Sequence, residues 1–218
     1  MVEDGNHLPE TLEAQRVRLR MAIDSLGLTV SRDQEDQLLH YLALMIHWNR
    51  SYNLTAVTKP DEMVARHLID SLAILPHLPE GRIVDAGTGA GLPGVPLAMV
   101  CPHCRFALLD SNGKKIRFLK EVRRQLQLKN IEPTQTRLED FSPDEMPDVI
   151  VARALAPLER LVGWASGLLD QGVPLLAMKG DLTERERRAV PSPYNVALIE
   201  LKTPGLRARR CLARVEKR

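Results

Sequence analysis

The chain has 218 residues, 44 % of them hydrophobic, enough to bury one good-sized core in a single enzyme-sized unit. Its opening, MVEDGNHLPE, lacks the basic-then-apolar order of a secretory leader, and no run approaches the roughly 18 to 20 apolar residues of a membrane span, so a cytoplasmic protein without a membrane partner is expected. The net charge of +2 conceals two basic segments, residues 114–129 and 202–218, each with seven basic residues and one acid, which leaves −10 on the remainder.

Leu19, Ala22, Ile23 and Leu26 keep helical spacing and stop at Gly27. Ser31 then opens a capping box with Gln34, and the stripe Leu38, Leu42, Met45 and Ile46 runs toward Trp48. A third helix begins at Pro60, with Val64, Leu68, Leu72 and Leu75 on one side. Residues 1–80 therefore read as a helical extension packed on a core of residues 81–218.

In that core the pattern changes to short β-rich runs at 82–86, 106–110, 131–136, 148–152 and 173–178. Helical stretches at 94–100, 114–128, 158–169 and 182–190 separate them, the alternation of a mostly parallel, doubly wound α/β sheet. Residues 195–201 and 210–215 would add antiparallel edge strands, for seven in all. The three cysteines, Cys101, Cys104 and Cys211, are too few and odd in number for a disulfide framework. Cys101-Pro-His-Cys104 is half a zinc pair with no second half, so no metal is expected.

The informative turn is Asp85-Ala-Gly87-Thr88-Gly89-Ala-Gly91-Leu92-Pro-Gly94, between a strand and a helix. A dinucleotide fingerprint starting at Gly87 would need glycine where Leu92 stands, and one starting at Gly89 begins too far from the turn that Asp85 anchors. The pattern D-x-G-x-G-x-G is filled by Asp85, Gly87, Gly89 and Gly91, and it resembles the first motif of class I S-adenosylmethionine-dependent methyltransferases. In that class the acid helps hold the methionine amino group and the glycines pass beneath the cofactor. Asp110, 19 residues beyond Gly91 at the end of the next strand, can accept from two ribose hydroxyls. Thr88, Leu92 and Ser111 join this cofactor set, and the same resemblance sets Leu138 and Glu139, with Asp140 as an alternative, beside the adenine. No G-x-x-x-x-G-K-[ST] phosphate loop occurs.

Amino-group methylation of adenine or glutamine usually brings [DN]-P-P-[FYW] after the fourth strand, but this chain has Val151-Ala152-Arg153-Ala154 there. Cysteine-dependent pyrimidine methylation needs a thiol nearby, and none is present. A guanine N7 carries a lone pair and no proton, so it can attack without a general base, which permits that substrate without identifying it.

Longer segments add to this: Trp48-Asn49-Arg50-Ser51-Tyr52-Asn53-Leu54-Thr55, Arg66-His67-Leu68-Ile69-Asp70-Ser71, the glycine loop, Leu109-Asp110-Ser111, Lys114-Lys115-Ile116-Arg117-Phe118-Leu119, Arg153-Ala154 and Met178-Lys179-Gly180. In this order, over residues 38–180, the chain resembles the bacterial small-subunit ribosomal RNA guanine-N7 methyltransferases, also called glucose-inhibited division protein B. The resemblance implies methylation of N7 of one guanine in the 530 loop of 16S ribosomal RNA, by a cytoplasmic monomer without metal. It implies that Gly87, Leu92, Leu138, Glu139 and Arg153 contact the cofactor, with Asp110 at its ribose. It sets Asn49, Arg66, His67, Arg137, Arg153 and Lys179 on the RNA side, with Arg153, Asn49 and Lys179 as the catalytic candidates.

The residues themselves leave alternatives open. Arg66 and Asp70 could form an i,i+4 ion pair, with His67 half-buried beside them. Asn49 and Asn53 suit either a turn at a helix end or the edge of a guanine. Trp48 and Tyr52 fit packing better than base stacking. Arg153 and Lys179, lone cations ending apolar strands, should point into the cleft of an open sheet unless each pairs with a carboxylate. Lys114 and Arg117 are RNA candidates on a helix whose basic residues are spread around its circumference. A nucleotide-dependent oxidoreductase and a non-enzymatic RNA-binding relative are the competing functions.

Overall fold

In the computed structural model, which describes residues 8–218, the N-terminal part is helical. α1 (Leu8–Ser25) and α2 (Arg32–Tyr52) are followed by α3 (Pro60–Met63), a π-helical stretch Val64–Ile69 and α4 (Asp70–Leu72). The Ser31 hydroxyl accepts from the Gln34 N–H while the Gln34 side chain returns to Ser31 N–H, so the expected capping box starts α2. Asn53, in the left-handed conformation at φ 50°, ends it. The π turn, rare and stabilised only by its surroundings, brings the Asp70 N–H to the Ala65 carbonyl.

The strands are β1 (Arg82–Ala86), β2 (Arg105–Leu109), β3 (Ile131–Thr134), β4 (Val149–Arg153), β5 (Leu175–Lys179), β6 (Tyr194–Leu201) and β7 (Arg210–Lys217). They form one seven-stranded sheet in the order β3-β2-β1-β4-β5-β7-β6, parallel except for β7, which runs antiparallel to both β5 and β6. The crossovers are α5 (Gly94–Val100), α6 (Gly113–Gln125), α7 (Leu158–Leu169) and the short α8 (Glu184–Arg188). The expected fold class is the observed one. The strand expected from 173 starts at Leu175 because Pro174 has no N–H to give the ladder, and the one expected through 136 stops at Thr134. The helix expected over 182–190 is shorter, capped by Thr183.

Alternating strand residues feed two cores, as a period of two requires. Val84, Ala86, Ile150 and Ala152 pack with α7 on one face. Ile83, Val149 and Val151 pack on the other face with α5, α6 and the N-terminal helices, Leu38, Leu42 and Leu68 among them. The N-terminal helices thus share a continuous apolar core with the sheet. β1 is flanked by β2 on one side and β4 on the other, and the chain reverses its winding there, where open sheets bind ligands at the carboxyl ends of the strands. Among the described residues no helix is long and apolar enough to cross a membrane.

Candidate active site

A cleft of about 530 Å³ opens at that reversal, over the carboxyl ends of β1, β2 and β4. Gly87, Asp110, Ser111, Leu138 and Glu139, the cofactor candidates, line it, as does Arg137, expected on the RNA side, together with Lys115, Leu155, Arg160 and Trp164. A larger cleft, about 650 Å³, lies at the opposite, amino-terminal ends near Arg82 and Phe106 and has neither a glycine loop nor an acid at a strand end.

The floor of the site is built by short-range hydrogen bonds. Asp85 is fully buried; its Oδ2 accepts from the Thr88 hydroxyl at 2.6 Å and the Gly94 N–H at 2.8 Å. Burial pushes this carboxyl up to about 6, against the pull of those two donors. The loop then passes close to its neighbours. A Cβ on Gly91, at φ +100°, would fall 2.5 Å from Val95 and 2.8 Å from Leu119. The Tyr41 hydroxyl, donated from α2, holds the Ala90 carbonyl at 2.7 Å. Gly89, at φ +61°, differs: a Cβ there would meet nothing closer than 3.9 Å, so this part of the loop faces open space.

Asp110 completes the floor. Its Oδ2 accepts from Gly89 N–H at 3.0 Å and from Lys115 Nζ at 3.3 Å, and its Oδ1 accepts from Asn112 N–H at 2.9 Å. The open loop at Gly89 beside a carboxylate at the strand end fits a nucleoside whose ribose lies at Asp110. Asp85, Thr88 and Leu92, expected to touch the cofactor, are buried beneath the loop, at 0 %, 1 % and 5 % exposure, and shape the turn instead.

On the other side of the glycine loop stands a second assembly. Asp70, 3 % exposed, receives Arg153 on Oδ2 and Arg210 on Oδ1, both at 2.9 Å. Arg153 also donates to the Arg66 carbonyl at 2.8 Å. The expected Arg66–Asp70 pair is therefore replaced: Asp70 turns inward to two arginines, and Arg66 faces Glu62 at 3.8 Å. Arg153, expected to point into the cleft, turns to the N-terminal helices because its charge is answered there. His67 is buried, not half-buried, with Nε2 3.0 Å from the Thr55 hydroxyl. Burial, reinforced by the Arg153 cation, lowers it to about 4, so it is neutral near pH 7.

Two more candidates are engaged elsewhere. The Asn49 amide closes a turn, donating to the Thr55 carbonyl at 3.0 Å and accepting its N–H at 2.9 Å. Lys179 donates to the Ala156 carbonyl and to Glu186, each at 2.7 Å, and Glu186 also takes the Leu158 N–H. Its ammonium is thereby tied to the loop after β4 instead of lining the cleft. Asn53, Lys114 and Arg117 are exposed, and the Arg117 guanidinium lies 5.8 Å from the Tyr52 ring. Trp48 packs edge-on to Tyr52 at 4.8 Å and near Phe118 at 5.9 Å, the packing role. Arg137, 67 % exposed, faces Glu139 at 3.7 Å on the cleft rim. Cys101 and Cys104 are buried free thiols, and no three His, Cys, Asp or Glu side chains among the described residues are arranged to hold a metal ion.

A doubly wound seven-stranded sheet with a glycine loop after β1 and a carboxylate after β2 defines a class I S-adenosylmethionine-dependent methyltransferase. The fold is shared with a methyltransferase from Aquifex aeolicus described as S-adenosylmethionine-dependent (TM-score 0.52, 19 % identity, 68 % of this chain and 90 % of that one). It is also shared with the N-methyltransferase NodS from Bradyrhizobium japonicum WM9, solved with S-adenosyl-L-homocysteine (0.52, 18 %, 81 % and 97 %). The family described as rRNA small subunit methyltransferase G matches residues 34–212, and the chain belongs to that family. It is 47 % identical over 196 residues to the ribosomal RNA small subunit methyltransferase G of Pseudomonas aeruginosa, covering 89 % of this chain and 92 % of that one. The protein of the same name from Legionella pneumophila is 46 % identical over 189 residues, with 87 % and 86 % covered.

Proposed function

We propose that this enzyme transfers a methyl group from S-adenosylmethionine to N7 of a guanine in the 530 loop of 16S ribosomal RNA. The observation that carries the reading is the family match over residues 34–212, on a chain that retains Asp110 and an open loop at Gly89. When bound, the cofactor supplies an electrophilic methyl group. Asp110 accepts from the ribose hydroxyls, Leu138 and Glu139 stand at the adenine, and Leu155, whose side chain fills the space over Gly87, screens the cleft from water.

A guanine N7 has no proton to lose, so no chain group has to remove one. The neutral His67 and the buried Asp85 agree with that demand. The ring becomes cationic as it is methylated, and Asp70, by answering Arg153 and Arg210, lowers the positive charge beside the glycine loop. The N-terminal extension, residues 1–80, is read as the part that shapes the RNA side. The exposed cations of α6, Lys114, Arg117 and Lys120 among them, suit phosphate contacts. The proposal includes a cytoplasmic enzyme that works as a monomer, as the family resemblance implies.

The test is to incubate the protein with methyl-labelled S-adenosylmethionine and unmodified 16S ribosomal RNA or small subunits, then map the product by mass spectrometry. One 7-methylguanine in the 530 loop is expected. A methyl group on another atom or in another loop contradicts the substrate assignment.

A further inference from the structure

We infer that Lys115 exchanges partners when the cofactor binds, leaving Asp110 to the ribose and taking the carboxylate of the cofactor's methionine part. The inference rests on the reading of this cleft as an S-adenosylmethionine site and assigns a role to a residue outside the glycine loop.

Asp110 has too few lone pairs for all its partners. An ionised carboxylate offers about four acceptor sites. Asp110 already spends three, on Gly89 N–H, Asn112 N–H and Lys115 Nζ. A ribose that donates both hydroxyls needs two. The two backbone donors are fixed by the glycine loop and by the turn into α6, whereas Lys115 is a flexible side chain, 32 % exposed, at the longest distance of the three. Lys115 is therefore the partner that yields.

The position of Lys115 points the same way. With the ribose at Asp110 and the adenine toward Leu138 and Glu139, the remainder of the cofactor has to extend over the glycine loop. The nearest side-chain atom to that open face is Lys115 Nζ, 3.9 Å from where a Gly89 Cβ would stand. The other cations of the cleft are engaged away from the loop: Arg137 faces Glu139, and Arg160 stacks 4.9 Å from the Trp164 ring. An ammonium displaced from Asp110 keeps an anionic partner only if the ligand brings one, and the methionine end carries a carboxylate. Before the ligand arrives, Lys115 also answers the charge of Asp110, which is only 7 % exposed.

The exchange gives effects of opposite sign for ligands with and without the amino-acid part. Lys115→Met, titrated calorimetrically, is expected to bind S-adenosylmethionine about tenfold more weakly than the wild type, the loss of one charged contact. The same variant should bind 5′-methylthioadenosine, which has the ribose but no carboxylate, equally well or more tightly, since its ribose no longer displaces an ammonium. Lys115→Arg should restore most of the preference for S-adenosylmethionine. Retained binding of 5′-methylthioadenosine shows that the variant is folded. Equal weakening of both ligands would mean a structural role for Lys115, and unchanged S-adenosylmethionine affinity would mean no role; either overturns the inference. A wild type that binds neither ligand would overturn the cofactor reading itself.

Discussion

The two sides of the glycine loop are held in different ways. On the cofactor side, Asp85 is met by Thr88 and Gly94, three and nine residues away, and Asp110 by Asn112 and Lys115, two and five away. On the N-terminal side, Asp70 is met by Arg153 and Arg210, 83 and 140 residues away. The first arrangement is complete within two consecutive strand–turn–helix units, joined by the Gly89 N–H to Asp110 bond across 21 residues. The second exists only when the π-helical segment, β4 and β7 have been brought together. The floor at Asp85 and Asp110 can therefore be carried by one contiguous stretch of sequence, whereas the assembly around Asp70 depends on the whole fold.

The largest effect should come from breaking the floor. Gly91→Ala forces a Cβ against Val95 and Leu119 at a strained φ, and is expected to cost about 4 kcal/mol in denaturant unfolding and to abolish detectable cofactor binding. Asp70→Ala breaks the other side. It strands two partly buried arginines and is expected to cost about 3 kcal/mol. Its cofactor affinity should stay near that of the wild type while methyl transfer to RNA drops. Equal loss of both would erase the distinction between the two sides.

Acid separates the two sides, because each holds a group whose shift falls in the acid range and the signs are opposite. His67 is lowered to about 4, so the unfolded chain takes up the proton first, and stability is lost as pH falls from 6.5 toward 4. Asp85 is raised to about 6, so the folded chain keeps its proton longer, and stability is lost as pH rises from 3.8 toward 6. The two contributions offset each other across that window. In His67→Gln only the second remains, so the deficit of this variant at pH 7.5 should shrink by about 2 to 3 kcal/mol at pH 4.5. A deficit that does not change with pH would contradict the neutral histidine. The smallest effect belongs to Tyr41→Phe. It leaves the Ala90 carbonyl without its donor and should cost about 1 to 2 kcal/mol, with a few-fold weaker cofactor binding.

The same contrast governs what could be read from the sequence. The capping box at Ser31, the alternation of strands and helices, and the set Asp85, Gly87, Gly89, Gly91 and Asp110 are local patterns, and the structure places Gly87 and Asp110 in the cleft and Asp85 beneath its loop. Asp70 was legible only as a neighbour of Arg66, because nothing local announces partners 83 and 140 residues distant. Arg153 and Lys179 were correctly set at strand ends, but the direction of a long cation depends on where the nearest carboxylate falls. For Lys179 this is Glu186, on a helix of five residues. Tyr41 sits among the apolar residues of α2, and its hydroxyl acquires a role only when the helix lies against the glycine loop. The π turn at Val64–Ile69 has no local signature at all.

Whether the cleft above Gly89 and Asp110 holds the methyl donor is decided by calorimetric titration of S-adenosylmethionine into the wild type and Asp110→Ala. Asp110 lines the cleft at 7 % exposure and its three donors lie in the glycine loop and the first turn of α6, outside the apolar core, so the variant should retain its fold, checked by far-ultraviolet circular dichroism. The wild type is expected to bind one equivalent and Asp110→Ala to bind about a hundredfold more weakly, the loss of two hydroxyl contacts to a charged acceptor. Equal affinity of the two proteins would contradict that placement of the donor.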